Sequence, residues 1–390
     1  MTTVENTARV HNTKGDIFAS YDVADFAVPR GKDEVWRFVS LRRLRGLHDG
    51  SAPAPVAATT DVVIPDGGDA TAETVGRDDS RIGLAGKPVD RIAAQAWSSF
   101  TSATVVTVNK HAVIEQPIDI TITGPGEDNV AYGHTIIDVQ DGAEATITLT
   151  YQGSGTYADN LEIKVGDNAR LNIIIDTDWA RDAVHLAGHH ARLGRDATLR
   201  HALACFAGDL VRVVPRVRYD GPGGDAELTG VYFADAGQYF EQRLLVDHAQ
   251  PNCRSNVMYK GALQGDPESG LPEARTAWVG DVLIRAEAQG TDTYELNRNL
   301  IIGDGARADS VPNLEIETGE IAGAGHASTT GHFDDEHLFY LMSRGIPEKA
   351  ARSLIIHGFF NEVINRIPVE SVRERLQARV AEELTIAGLA

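Results

Sequence analysis

The sequence predicts a mainly β protein with a parallel β-helix core and a helical region at each end. From Ala103 onward, segments such as IDITI at 118–122 alternate apolar and polar residues, and strand-like patterns continue for about 200 residues with almost no helical pattern. A Gly-x-x-Ala turn recurs with its alanines at Ala145, Ala169, Ala197 and Ala226, at spacings of 24, 28 and 29 residues. Each turn leads into a strand. Turns that recur at such a period indicate stacked coils, each of which buries its inward side chains on the next.

The alternative fold is a large antiparallel β-sandwich. A sandwich uses many tight hairpin turns, for which Asn-Gly and Asp-Gly are the strongest sequence signals. Asn-Gly is absent from this chain, although Asp-Gly occurs, for example at Asp141-Gly142 and Asp304-Gly305. The recurring turn therefore favours the β-helix.

The pattern divides the chain into three parts. Residues 1–100 are predicted to form an N-terminal region with short helices and a linker, residues 101–323 the β-helix core, and residues 324–390 a C-terminal helical region. Within the first part, Leu41, Leu44 and Leu47 recur at helix-like spacing, and residues 88–100 predict a short helix. Residues 49–80 are rich in Ala, Pro, Gly, Asp and Thr, which predicts mostly loop around one strand-like run at 62–64.

Three short helices are predicted in the C-terminal region. Asp334 is a good N-cap for the first, with Phe333 and Leu338 placed as a hydrophobic staple, and Gly345 ends it. Pro347 opens the second helix. Apolar stripes at helical spacing mark the second and third helices: Leu354, Ile355, Phe359, Val363, Ile364 and Ile367, then Val372, Leu376, Val380 and Leu384. Because such short helices have little core of their own, their apolar faces must pack on each other, on the body or on a partner.

Composition excludes several classes of function. The formal net charge of −20 argues against a nucleic acid or an anionic membrane surface as a partner. No apolar run approaches the ~20 residues that a membrane helix requires, and the start of the chain has no apolar signal-peptide core, so we expect a cytoplasmic protein. The two cysteines, Cys205 and Cys253, provide neither a disulfide framework nor a four-cysteine metal site. The chain also lacks a Gly-x-x-x-x-Gly-Lys-Ser/Thr loop for binding nucleotide phosphates.

The junction between the core and the helical tail carries the first candidate site. His326 follows Gly323-Ala324-Gly325, so the backbone there can bend and leave the imidazole accessible. His332 and His337 lie close by with acidic residues between them, and imidazole and carboxylate groups both bind transition metals. The competing interpretation is a loop that leads into a helix with an acidic first turn, where negative charge suits the helix dipole.

Further candidates lie in the body of the chain. His185, His189 and His190 have the spacing of a metal site on a helix, but residues four apart on a strand are ~13 Å apart, which favours structural or surface roles. Cys205, between Ala204 and Phe206, is predicted to be a small buried hydrophobe. Arg254, next to Cys253, could lower the pKa of that thiol.

A set of charged residues could line one face of the β-helix, as in polysaccharide lyases of that fold. The set comprises Asp281, Arg285, Asp292, Arg298 and Asp304. This fold-level analogy predicts a secreted enzyme that acts on acidic polysaccharide. The missing signal-peptide pattern argues against it.

Four blocks of sequence, in order along the chain, resemble the SufB/SufD family of iron–sulfur cluster assembly proteins. They are FAVPRGKDEVWRFVSLRRLRGL at 26–47, VDHAQPNCRSNVMYKGAL at 246–263, WVGDVLIRAEAQGTDTYELNRNLIIGDGARADSVPNLEIETGEI at 278–321 and GHASTTGHFDDEHLFYLMSRGIPEKAARSLIIHGFFNEV at 325–363. The resemblance covers most of the chain. It implies a right-handed parallel β-helix, the fold class that the turn repeat indicates independently.

Within this family the chain looks like SufD. A SufB is expected to carry a functional cysteine in the loop before the FYLMSRGI-like helix, where this chain has His326 and no cysteine. The SufD pattern at that loop is roughly Cys-Ser-His-Gly-Ala-Thr, and this chain has AGHAST at 324–329. The histidine is therefore kept while the preceding cysteine and the following glycine are not, which leaves the imidazole as the candidate group.

The resemblance implies a non-catalytic scaffold subunit of the SUF assembly complex. It implies edge-to-edge pairing with a SufB-like subunit, and His326 as a transient ligand of iron or an iron–sulfur cluster at that interface. It also implies that a SufC-like ABC-type ATPase, which binds the ATP, docks on the C-terminal helices. Candidate contacts with this ATPase are Phe339, Tyr340, Arg344, Ile356 and Phe360, and packing within the chain is the alternative role. A SufB-type homodimeric scaffold is the other function considered, and the missing cysteine disfavours it.

Overall fold

The computed structural model describes residues 13–332, 334–386 and 388. These residues contain eighteen β-strands and four α-helices. The strands are β1 Thr59–Val63, β2 Ala70–Gly76, β3 Ser102–Val108, β4 Ile118–Thr123, β5 Val130–Val139, β6 Glu144–Gly153, β7 Thr156–Val165, β8 Arg170–Trp179, β9 Val184–Leu193, β10 Thr198–Cys205, β11 Leu210–Tyr219, β12 Asp225–Asp235, β13 Tyr239–His248, β14 Arg254–Gln264, β15 Ala274–Ile284, β16 Asp292–Ile301, β17 Ala306–Ile316 and β18 Gly323–Gly331. The helices are α1 Arg91–Ser99, α2 Asp335–Ser343, α3 Glu348–Ile364 and α4 Glu370–Ile386.

The strands form two sheets of nine strands each. Sheet A has the order β1-β4-β6-β8-β10-β12-β14-β16-β18, and sheet B has the order β17-β15-β13-β11-β9-β7-β5-β3-β2. From β3 to β18 the chain alternates between the sheets, and neighbours within each sheet are parallel. Within the described residues, antiparallel pairing is confined to β1 with β4 and β2 with β3. The predicted mainly β fold with a parallel β-helix core is thereby confirmed.

One turn position repeats in successive coils of the β-helix. Strand pairing aligns a residue of left-handed backbone conformation with its counterpart in the next coil, and a small buried residue follows it each time. The left-handed residues are His111, Gly142, Asn168, Asp196, Gly223, Asn252 and Gly290, and the small residues are Ala112, Ala143, Ala169, Ala197, Gly224, Cys253 and Thr291. Gly, Asn and Asp dominate because they tolerate positive φ.

The sequence motif located these turns but not their register. Ala145 pairs with Leu171, and Ala226 pairs with Leu199, so both lie two residues beyond the positions of Ala169 and Ala197. The conserved feature of the structure is therefore a left-handed residue followed by a small one, which allows the coils to stack closely at the corner.

The N-terminal region covers the outer face of sheet B. The predicted α1 is present, and the Asp90 carboxylate caps it by accepting hydrogen bonds from the backbone N–H groups of Ile92 and Ala93. The leucine pattern at 41–47 does not form an α-helix; Leu41–Leu44 is a single 3₁₀ turn. Its buried side chains pack with Trp36 on apolar residues of the sheet, which satisfies the pattern without a longer helix. The strands β1 and β2 lie inside the segment predicted to be mostly loop.

The three predicted C-terminal helices are α2, α3 and α4. The Asp334 side chain caps α2 by accepting from the backbone N–H groups of Glu336 and His337, as predicted, whereas the staple residue Phe333 lies outside the described residues. Helices α3 and α4 pack on the outer face of sheet A through an apolar cluster that includes Phe206, Phe233, Leu296, Ile356, Phe360 and Leu376. None of the described helices has the length and apolar character that a membrane crossing needs.

Polar contacts fix these helices to the sheet. The Lys260 ammonium donates to the Phe359 carbonyl oxygen over 3.0 Å and forms an ion pair with Glu362. The Arg375 guanidinium lies 3.1 Å from the Asp176 carboxylate. The C-terminal helices are therefore an integral layer of the protein.

We expect Phe360→Ala to lower the free energy of unfolding by about 3–5 kcal/mol, because it leaves a cavity in a fully buried cluster. The Phe360 ring centroid lies 6.3 Å from those of both Phe206 and Phe233. Urea unfolding of the variant and of Phe339→Ala, a matched control whose side chain is exposed, measures the difference. Equal losses in the two variants would contradict the packing described above.

Candidate functional site

The last coil of the β-helix is open. Strands β17 and β18 end their sheets, and each pairs on one side only, with β15 and β16 respectively. Every residue of β17 and β18 is exposed or half-buried, whereas β15 is almost fully buried. The nine residues of β18 include no Asp, Glu, Lys, Arg or Pro. Natural edge strands usually carry such residues to prevent pairing with another chain, so β18 is an edge without that protection.

His326 lies on this edge strand. The sequence predicted a loop around His326, but the structure extends sheet A through this segment as β18, because residues 323–331 pair in parallel with residues 292–300. The predicted boundary of the core at residue 323 therefore falls at the start of a strand. His326 pairs in register with Glu295 of β16, so the two side chains project from the same face. The imidazole remains 43% exposed.

Glu295 is the residue against which His326 lies. The His326 Nδ1 atom is 3.7 Å from Glu295 Oε1. The Glu295 side chain is fully buried, and neither of its oxygens has a hydrogen-bond partner among the described residues. Burial raises the pKa of Glu295 to about 8; the charge of Asp281 adds to this effect, and the nearby backbone N–H of Asn313 opposes it. A buried carboxyl without a donor is costly, so its position beside an exposed imidazole points to a functional role.

The interior of the β-helix becomes polar at this end. In the first coils the inward residues are aliphatic, such as Ile118, Ile120 and Ile122. In the last coils Asn297 donates to the Tyr232 hydroxyl over 2.9 Å, and Ser310 donates to the Asn297 side-chain oxygen over 2.7 Å. The open end therefore presents a polar mouth.

Two further polar atoms near this mouth have no partner among the described residues. They are the indole Nε1 of Trp278 and the hydroxyl of Tyr259, whose ring centroids lie 6.2 Å apart. Gly280 makes room for this cluster, because a Cβ there would lie 2.5 Å from Glu295 Oε2 and would also clash with the Trp278 ring. Together with Glu295 they form a set of buried groups that can accept or donate hydrogen bonds toward a bound species.

The arrangement of His326 and Glu295 can supply an imidazole nitrogen and a carboxylate oxygen to a transition metal. In the part of the chain that the structure describes, no three His, Cys, Asp or Glu side chains are placed to bind a metal ion together. The possible cluster of His326, His332 and His337 is therefore not formed, and His337 instead lies 3.4 Å from Asp334, the N-cap of its own helix. This agrees with the competing interpretation of a helix with an acidic start. Any metal held at His326 therefore needs ligands beyond those that the described residues supply.

The C-terminal helices expose an apolar patch. Phe339 and Tyr340 on α2 are 72% and 56% exposed, and Met342 and Leu354 are also exposed. The Arg344 guanidinium carbon lies 5.2 Å from the centroid of the Tyr340 ring, a cation–π contact. Contiguous exposed apolar residues indicate a protein interaction site.

Two of the predicted partner contacts are not on this patch. Ile356 and Phe360 are fully buried against sheet A. The prediction that they contact a partner is therefore corrected to packing within the chain. The apolar stripe of α3 allowed both roles, and the sheet supplies the nearest apolar surface.

The histidines of the body are structural. His185 pairs with Asp159 over 3.0 Å, and both side chains are fully buried. His189 and His201 face each other at 3.4 Å between ring nitrogens. Burial lowers the pKa of His190 to about 3. These side chains lie within strand β9 and its neighbours, away from the open end.

Neither cysteine is activated. Burial raises the pKa of Cys205 to about 12, which agrees with the predicted small hydrophobe. The possibility that Arg254 lowers the pKa of Cys253 is wrong, because burial raises that pKa. Cys253 occupies the small buried position of the recurring turn, and Arg254 points away as an exposed residue.

The charged residues that suggested a polysaccharide-binding face are not on one face. Asp281 and Arg285 lie at β15 in sheet B, while Asp292 and Arg298 belong to β16 in sheet A. Asp281 lies 3.6 Å from Lys14, and Arg285 binds Asp16 and Asp247. The prediction of a single charged groove is therefore wrong.

Sequence reasoning missed Glu295. A signal was present, because β16 reads DTYELNRNLI with polar residues at the inward positions 295, 297 and 299 and leucines at 296 and 300. That alternation shows which residues share a face but not which face is interior. Only strand pairing reveals that the polar face lines the interior.

Replacing Glu295 by Gln tests whether the buried carboxyl keeps its proton in the folded protein. The folded state retains the proton up to a pKa of about 8, whereas an unfolded chain releases it near 4.5. Stability from this group is therefore fully present below pH 4.5 and is lost as the pH rises toward 8. Between pH 5 and pH 8, we expect the parent protein to lose about 2–4 kcal/mol more unfolding free energy than the Glu295→Gln variant, which has no carboxyl to ionise at this position. Urea unfolding at both pH values measures the difference.

The matched control is Glu287→Gln, which removes an exposed carboxyl. It should leave the pH dependence of stability unchanged. If the Glu295 variant showed the same pH dependence as the parent protein, the buried carboxyl would have to be paired in solution.

Comparison with known proteins extends these observations. Residues 121–359 match the sequence model of the SufBD core domain of the SUF system for iron–sulfur cluster assembly. An iron–sulfur cluster assembly SufBD family protein of Mycobacterium bovis is 60% identical over 376 residues, which cover 96% of this chain and 94% of the relative. The SufD protein of Bacillus subtilis is 26% identical over 277 residues, 69% of this chain and 61% of the relative. A second SufBD family protein of Mycobacterium bovis is 25% identical over 272 residues, 69% of this chain but 30% of that relative.

Proposed function

This chain belongs to the SufBD family of iron–sulfur cluster assembly proteins, and we propose that within it the chain is a SufD-like, non-catalytic scaffold subunit. It pairs with a SufB-like subunit, carries a SufC-like ATPase on its C-terminal helices and acts in the cytoplasm. The observation that carries the proposal is the open last coil, where an unprotected edge strand presents His326. Iron and sulfide are the cargo of this scaffold, and ATP is bound by the partner ATPase.

The free edge of β18 supports pairing with a second β-helix. An exposed edge strand offers unpaired backbone N–H and C=O groups, and a strand of another chain can satisfy them by extending the sheet. β17 also ends its sheet, but it carries Arg307, Asp309, Pro312 and Glu315, so β18 is the edge better suited to pairing. Pairing of this kind would enclose the polar mouth between the two subunits and bring a partner's ligands to His326.

A shared site suits the release of cargo. His326 and Glu295 supply at most two ligands, so a bound iron or cluster depends on groups from both subunits and on the interface between them. Neutral imidazole coordinates iron without first losing a proton. A movement that separates the edges would remove part of the ligand set and weaken binding.

The exposed patch on α2 supports docking of the ATPase. Phe339 and Tyr340 have the exposure and chemistry of interface anchors, and Arg344 adds a cation beside them. The helical layer also has a direct mechanical connection to the site. Leu296 and Leu300 of β16 pack in the helical cluster, while Glu295 of the same strand lies beside His326.

The SufB-type homodimer is the second candidate. The same unprotected edge favours it, because two copies of this chain could pair through β18. The chain lacks a cysteine on β18, so such a homodimer would present two imidazoles and no thiolate for the cargo. This leaves the pairing with a SufB-like subunit as the better-supported function.

His326→Ala tests the role of the imidazole. We expect the chain, co-expressed with the SufB-like and SufC-like proteins of its organism and isolated without oxygen, to bind both partners and carry iron and sulfide. The variant should keep both partners and lose most of the iron, because a ligand is removed without changing the edge. Iron and sulfide are assayed per complex. His337→Ala is the matched control, since His337 is exposed on α2.

Retention of iron by the His326 variant would assign the imidazole a structural role. A parent chain that binds neither partner, or that forms only a homodimer when both partners are present, would contradict the scaffold proposal itself.

Phe339→Ala tests the ATPase surface. We expect affinity for the SufC-like protein to fall by about 30-fold, the loss of ~2 kcal/mol that defines a central interface anchor. Pairing with the SufB-like subunit should be unchanged, because Phe339 is not part of the edge strand β18. Calorimetric titration measures the affinity, and Val113→Ala, at an exposed apolar residue outside the helical region, is the control. If the parent chain and the Phe339 variant bound the SufC-like protein with equal affinity, this patch would be excluded as the ATPase-binding surface.

A further inference from the structure

A second candidate site lies on the other side of the molecule, between the N-terminal region and the outer face of sheet B. A cavity of about 630 Å³ is formed there, with a floor from β11, β13 and β15 and a roof that includes residues 13–18. This volume falls in the range of pockets that hold small organic molecules. The cavity lies on the outer face of sheet B, whereas the mouth that contains His326 lies at the open end of the β-helix; Asp281 lines the cavity and also acts electrostatically on Glu295. Nothing in the proposed scaffold function uses the cavity.

Three arginines line this cavity. Arg212 is almost fully buried and is held by Asp90 over 2.9 Å, by Glu241 over 3.3 Å and by the Trp36 ring. Its remaining nitrogen, Nη2, has no hydrogen-bond partner among the described residues. Arg243 Nη1 likewise has none, and its nearest carboxylate, Glu241, is 3.9 Å away.

Arg216 is the least compensated of the three. Within the described residues its guanidinium forms no ion pair or hydrogen bond, and only the more distant charges of Asp247 and Asp281 oppose its burial. Burial lowers the pKa of Arg216 to about 10. The Arg216 side chain is half-buried, and an unpaired charge that is partly removed from water is costly, so the group is placed where an anion could compensate it.

The carboxylates that line the cavity are already engaged. Asp90 binds Arg212 and caps α1, and Asp16 lies 3.0 Å from Arg285. The Lys14 ammonium lies 3.4 Å from Glu34 and 3.6 Å from Asp281, and the Lys14 backbone N–H donates to Glu315. After these pairs are formed, the guanidinium groups of Arg216 and Arg243 remain without an acceptor.

We propose that this cavity binds a small organic molecule with a phosphate group, which Arg216 and Arg243 hold with help from Arg212 Nη2. Guanidinium groups are the side chains best suited to bidentate binding of phosphate oxygens. The remaining walls include Phe18, Val214 and Leu245, which suit an apolar body attached to the phosphate. The site therefore distinguishes an organic phosphate from the free ion by its apolar walls and from a neutral molecule by its arginines.

Phenyl phosphate, inorganic phosphate and phenol are the probes. Calorimetric titration of the full chain in a buffer without phosphate should show that phenyl phosphate binds at sub-millimolar concentration, inorganic phosphate binds more weakly, and phenol does not bind. Arg216→Gln should weaken phenyl phosphate binding by at least about tenfold, since it removes a charge-assisted contact. Arg254→Gln, which alters an exposed arginine of sheet A, should leave binding unchanged.

The stability of the variant separates binding from folding. Because the Arg216 side chain makes no hydrogen bond, Arg216→Gln should melt no lower than the parent chain, but phenyl phosphate should no longer raise its melting temperature. If that variant failed to fold, Arg243→Gln would provide the same test, because it removes only the 3.9 Å ion pair. No binding of phenyl phosphate by the parent chain, equal binding by the arginine variants, or equal binding of phenol would overturn the proposal.

Discussion

Each coil of a parallel β-helix completes the backbone hydrogen bonds of the coil before it, so the last coil always leaves one set incomplete. The rest of this structure depends on which elements, if any, pair with the backbone groups left free at each end of the β-helix. At the N-terminal end the chain adds the short antiparallel strands β1 and β2, and Glu73 on the latter pairs with Arg81. At the C-terminal end the helices do not cover β18. They pack on the outer face of sheet A instead, and an uncharged edge stays free.

The strand β16 has two functional faces because alternate side chains of a strand point to opposite sides. Its outward leucines, Leu296 and Leu300, belong to the cluster under α3 and α4. Its inward residues Glu295, Asn297 and Asn299 form the polar mouth beside His326. The two faces of β16 therefore contact the helical layer and the candidate site, respectively. In the proposed complex, a partner that pulls on the helices acts on the element that supports Glu295.

Most of the predictions that hold rest on local signals, although the leucine spacing at 41–47 did not produce a helix. Strand alternation, the helix cap at Asp334 and the apolar stripe of α4 depend on residues a few positions apart, and these predictions hold. The stripe predicted for α3 holds only in part, because Val363 and Ile364 are buried whereas Leu354 is exposed. The errors concern contacts between successive coils, about 30 residues apart in sequence. Strand pairing with β16 turns the predicted loop around His326 into β18 and brings Glu295 to it. Stacking of turns buries Cys253. An apolar stripe likewise predicts that Phe360 is buried but does not show which surface buries it.

The two sheets are covered by layers that differ physically, and this difference separates their roles. Sheet A meets α3 and α4 through an apolar cluster, which is close-packed and transmits displacement. Sheet B meets the N-terminal region partly through buried ion pairs such as Arg212 with Asp90. Buried charges add little net stability after desolvation, and their fixed geometry leaves space that apolar side chains would fill. A packed layer therefore lies behind the open end of the β-helix, and a cavity with uncompensated arginines lies on the opposite sheet.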